Sequence, residues 1–160
     1  MNNFETRKLI FSQRQNWKLF LNKNNFQFDV ENLIFYPETT LILQNIECQE
    51  KLKVDCKRKV EMIFFEKYLD SFNGNEQLYV IFPDVSLGSN FYNTSLPILK
   101  DTKDNIKKML QNINLLDIDY FAISNLNFKK FVKIEGYADY PNEKNEFYDG
   151  VVYDYFVNFN

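Results

Sequence analysis

Histidine does not occur anywhere among the 160 residues. Its absence removes the commonest general base, the usual imidazole metal ligand and the Ser/His and Cys/His nucleophile pairs together, which closes most hydrolase mechanisms. Glycine and proline number only four each and cysteine two, too few for a flexible linker or a disulfide-stapled scaffold. A glycine-rich phosphate loop is also missing: the nearest piece, Leu87-Gly88-Ser89-Asn90, lacks both the spacing and the lysine. No run of eighteen apolar residues exists, and the first thirty residues are polar without a small-residue cleavage site. Neither a spanning helix nor a secretory signal is therefore expected, and the protein reads as cytoplasmic.

What is present points to a globular chain. Charged residues make up 26% and hydrophobic ones 45%, and a length of 160 suits one domain, 1–160, that hides about two thirds of its unfolded surface. Seventeen Phe and ten Tyr exceed what so small a core can hide, so some aromatic surface should stay exposed and suggest a partner. The net charge of −3 argues against a nucleic-acid binder, which needs a basic patch to neutralise phosphates.

Along the chain, residues 3–22 place Ile10, Arg14, Trp17 and Leu21 on one stripe, with Phe4, Phe11 and Phe20 nearby, and predict an amphipathic helix with Trp17 in the core. Residues 26–46 fit either two strands or a helix starting at Pro37. Across 47–69, Cys48, Leu52, Cys56, Val60, Ile63, Phe64 and Tyr68 recur at three and four residues, predicting a single helix that buries both thiols about 12 Å apart, beyond disulfide reach. Residues 77–82 read as a central strand, 85–99 as an irregular stretch interrupted by Gly88 and Pro97, and 102–110 as a helix capped by Asp101 or Thr102. Residues 120–124 and 131–135 form a hairpin, and 151–159 a last strand after Asp149-Gly150. Helices first and strands later predict α+β, with N-terminal helices packed on one face of a mostly antiparallel sheet.

The most informative stretch is 135–155. It carries Glu135, Asp139, Glu143, Glu146, Asp149 and Asp154 among Tyr137, Tyr140, Tyr148, Tyr153 and Tyr155, with Lys144 as the only cation, a local charge of −5. Tyrosine supplies rigid contact area at low entropic cost, and clustered carboxylates steer a basic partner. The expected partner-binding residues are Tyr137, Asp139, Tyr140, Glu143, Glu146, Tyr148 and Asp149. No catalytic residue, metal site or cofactor is assigned. The alternative chemistry is carboxylate-based: Asp117 and Asp119 before a strand, with Asp84 nearby, have the donors for a divalent metal.

The strand Gln77-Leu78-Tyr79-Val80-Ile81-Phe82-Pro83, the aromatic pair Phe91-Tyr92, the helix through Met109-Leu110, and the pair of segments 119–124 and 128–135 follow an order that resembles small α+β immunity proteins. Bacteria carry these against polymorphic or contact-dependent growth inhibition toxins. The resemblance covers under half the chain, and where some such proteins have a histidine after the last strand this one has Gly136-Tyr137-Ala138-Asp139. It implies a non-enzymatic antitoxin that binds a cognate toxin domain, often a nuclease, and occludes it; the acidic composition adds the expectation that this toxin is basic, and charge and hydropathy leave neither nucleic acid nor membrane as an expected partner. A phage or mobile-element inhibitor of a host nucleic-acid enzyme would use the same acidic mimicry.

Overall fold

The computed structural model describes residues 2–24, 32–57, 62–82, 96–111, 120–138 and 151–159. Among these residues four helices and seven strands follow in the order α1 (Asn3–Asn24), β1 (Leu33–Ile34), α2 (Glu38–Glu47), β2 (Leu52–Lys57), α3 (Met62–Leu69), β3 (Gln77–Ile81), β4 (Ile98–Thr102), α4 (Lys103–Leu110), β5 (Tyr120–Asn125), β6 (Lys130–Ala138) and β7 (Val151–Phe159). The strands make one sheet of order β1-β4-β3-β5-β6-β7-β2, and every neighbouring pair is antiparallel. The α+β class expected from the sequence is what the structure has.

Local chemistry explains several boundaries. Asn2 caps α1: its Oδ1 accepts from the Glu5 amide at 2.8 Å while Glu5 Oε2 reaches back toward the Asn2 amide at 3.4 Å, a reciprocal arrangement that satisfies two donors at the helix start. Thr102 caps α4, its hydroxyl accepting from the Asn105 amide, as the sequence suggested. In the β5–β6 hairpin Phe128 takes a φ of 61°, a rare conformation for a bulky residue, and its ring stacks on Tyr79 at 5.7 Å.

Strand alternation splits the interior into two cores. On one face Leu78, Val80, Leu99, Phe121, Ile123, Val132, Ile134, Tyr155 and Val157 meet Trp17 of α1, Phe65 and Leu69 of α3, and Ile106, Met109 and Leu110 of α4. Rings dominate here: Phe65 meets Phe121 edge-on at 5.0 Å, and Trp17 lies 5.1 Å from Phe82. On the other face Ile81, Ile98, Ala122 and Phe131 pack against Ile42, Leu43 and Ile46 of α2. Gln13, itself buried, ties α1 to the start of α2 and the approach to β4, accepting from the Tyr36 amide at 2.8 Å and lying within reach of Thr39 and the Leu96 carbonyl.

The sequence misread two places. The single helix expected over 47–69 does not exist; α2 ends at Glu47, β2 occupies Leu52–Lys57, and α3 begins at Met62. Cys48 is accordingly exposed just past α2 and not a core thiol, while Cys56 lies on β2 opposite Asp154. Leu52-Lys53-Val54-Asp55-Cys56-Lys57 also alternates apolar and polar residues, and the edge of the sheet selected that period over the helical one. The second miss is β4, which starts directly after Pro97 and pairs on both sides, with β1 and β3; proline is tolerated just before a strand's first ladder bond. Of the range 26–46, residues 26–31 lie outside the described residues, and 32–46 hold a short strand followed by a helix with Pro37 at its cap.

Candidate partner-binding surface

Strands β6 and β7 are the longest in the sheet, nine residues each. They run in unbroken register from Lys130↔Phe159 to Ala138↔Val151. Tyr137 lies on β6 opposite Val152, so the acidic, tyrosine-rich segment 139–150 joins two paired strand ends. Asp139, Tyr140, Glu143, Glu146, Tyr148 and Asp149 lie outside the described residues, as do Asp84, Asp117 and Asp119.

The described flanks of that segment correct part of the expectation. Glu135 and Asp154, register partners across β6 and β7, are each engaged by lysine. Lys133 Nζ donates to Glu135, and Lys53 Nζ lies 2.7 Å from Asp154 Oδ1 as an ion pair. Lys144 is therefore not the only opposing cation. Tyr155 is fully buried and packs 6.3 Å from Phe65, so it belongs to the core and offers nothing to a partner. Alternation along β7 dictates this, because Tyr155 and Val157 point to the ring-rich core.

A charged cluster that sequence reasoning did not find sits on the α2 side of the sheet. Lys133 has 0% of its surface exposed. Its ammonium donates to Glu47 Oε1 at 2.7 Å and to Glu135, and lies 5.3 Å from the centre of the Phe156 ring. Lys51 completes the group, donating to Glu47 Oε2 at 2.9 Å and facing the same ring at 5.6 Å. Two lysines and two glutamates make the set neutral, which is the condition for burying charge. Glu47 lies in the last turn of α2, where no base complements the helix dipole; a carboxylate there is unfavourable by itself, and the two lysines offset it. Burial opposes ionisation of Glu47, but the hydrogen bonds from Lys133 and Lys51 outweigh it and hold its carboxyl below the usual range. Burial pushes the Lys133 ammonium down, against the pull of Glu135 and Glu47. The signal in the sequence was a lone lysine inside the apolar run Phe131-Val132-Lys133-Ile134.

Beside this cluster the surface has a shallow groove of about 410 Å³ lined by Glu50, Lys51, Leu52, Val157, Asn158 and Phe159. Among the described residues no three His, Cys, Asp or Glu side chains converge as metal ligands would, and no helix is long and apolar enough to cross a membrane. Together these features define an α+β protein whose longest hairpin carries its most acidic segment. Comparison with protein-family models, curated proteins and solved structures finds no match to this chain.

Proposed function

We propose that this chain is a non-enzymatic binding protein that neutralises a toxin domain, a nuclease by preference, by covering its basic active site. The observation that carries the reading is the placement of segment 139–150 between the ends of two nine-residue strands held in register. Rigid strands limit the ordering cost of a binding segment, and Asp139, Glu143, Glu146 and Asp149 against Lys144 supply a field that a phosphate-binding site attracts. The paired state of Glu135 and Asp154 confines the recognition acids to that segment. Tyr137, Tyr140 and Tyr148 are the proposed anchors.

The test begins with low-salt capture from lysate of the source cells and identification of what elutes as salt rises. A basic toxin domain encoded beside this gene is the expected partner; a distant nucleic-acid enzyme points instead to the mobile-element inhibitor. With the partner in hand, reversing charge at Asp139, Glu146 and Asp149 together should slow association at least about tenfold at low salt, with the gap closing as salt rises and the fold unchanged. An association rate equal to that of the unmodified protein overturns the proposal.

A further inference from the structure

Helix α1 has one face against the domain and one against solvent. The inner face is fixed by Trp17 and by the buried Gln13 amide. On the outer face Phe4, Phe11 and Leu19 are 74%, 63% and 67% exposed. At 100° per residue these three fall within an arc of about 80°, with Lys8 inside it and Lys18 and Arg7 about 20° and about 40° beyond its edge. Arg7, Lys8 and Lys18 are exposed, and among the described residues no carboxylate pairs with them. The helix has one acid, Glu5, which is occupied at the cap with Asn2. Arg14 is spent differently, its guanidinium 5.1 Å above the Phe35 ring.

A single exposed apolar side chain needs no explanation, but three on one arc, beside cations that pair with no described carboxylate, do. We infer that this face of α1 attaches the protein to an anionic lipid surface. The cap holds Phe4 inside the first helical turn, so Phe4 and Leu19 stand about 22 Å apart along one rod. A convex rod meets a plane along its whole length. Phe and Leu carry no hydrogen-bonding group and suit the boundary between headgroups and acyl chains, with lysine and arginine reaching the phosphates. Nucleic acid would attract the same cations, but Leu19 gives it no ring to stack on. The net charge of −3 is no obstacle, because residues 1–30 carry +3 and 135–155 carry −5, and an anionic plane orients such a molecule with α1 inward. Attachment of this kind needs no spanning segment and departs from the expectation that no membrane is a partner. It is independent of the inhibitor reading.

The test is co-sedimentation of the full chain with vesicles of phosphatidylcholine alone and of phosphatidylcholine mixed with phosphatidylglycerol. Binding is expected on the anionic vesicles only. Each cation contributes about fivefold near such a surface, so the combined Arg7→Glu, Lys8→Glu and Lys18→Glu variant should lose roughly a hundredfold or more in partitioning. The Phe4→Ser and Phe11→Ser pair should lose about tenfold and release the fraction that survives high salt. Circular dichroism of both variants should match the parent, since the altered side chains face solvent. Absence of vesicle binding, equal binding to neutral vesicles, or full retention by the charge-reversed variant overturns the inference. So does tighter binding to a single-stranded oligonucleotide than to the vesicles.

Discussion

The two faces of the sheet are built differently. One is sealed by three helices and a set of rings, the other by α2 and, from its last turn to β6, by four linked charged side chains, two of whose ammoniums face Phe156. A ring core gains from area and shape and tolerates no gap, whereas an ion cluster gains little net stability but sets where α2 ends relative to β6. The first face holds the fold together, and the second fixes a register.

The largest break in that comparison should come from Phe65→Ala. Phe65 is fully buried between Phe121 and Tyr155, and its removal should cost about 3–5 kcal/mol in urea unfolding. Ile46→Ala, equally buried but on the α2 side, should cost less, about 2–4 kcal/mol. Equal costs would mean the two faces contribute alike.

Within the cluster, the two charges should prove unequal. Glu47→Ala leaves Lys133 with no surface exposed and Glu135 as its remaining cluster acid, and should cost about 1–3 kcal/mol. The smallest effect is expected for Lys133→Met, within about 1 kcal/mol of the parent, because Glu47 keeps Lys51 and both carboxylates sit partly in solvent. If Lys133→Met proves as costly as Phe65→Ala, the cluster supports the fold and does more than fix a register.

Acid sharpens the same point. The folded-state pKa of Glu47 lies below its ordinary 4.5, so the stability it contributes is fully present above that value and is lost as pH falls through the folded-state pKa. The stability difference between the parent and Glu47→Gln should therefore be constant above pH 4.5 and shrink below it. A difference that grows on acidification would contradict the pairing with Lys133 and Lys51.

Much of this architecture was legible in the sequence. Strand β7 matched its expected bounds, and β3, β5, β6, α1 and α4 were each identified, because alternation, capping and apolar stripes all agreed there. The failure over 47–69 arose where two periods coexisted in the same residues and only tertiary pairing with β7 chose between them. Lys133 was missed for a related reason. A lysine on a strand reads as solvent-facing until a partner 86 residues away in the chain, Glu47, is brought beneath it. Of the expected partner-binding residues, Tyr137 alone lies among the described ones.

The pairing of β2 bears on the order of assembly. Among the described residues, Leu52–Lys57 have β7, Val151–Phe159, as their only ladder neighbour. During synthesis β2 leaves the ribosome long before that neighbour exists, and it waits with its backbone donors and acceptors open while β3, β4, β5 and β6 are made. Closing so long a loop is slow. The bulge between Lys53 and Asp55 and the lysines along the strand make β2 a poor template for foreign strands, which protects the nascent chain through that delay.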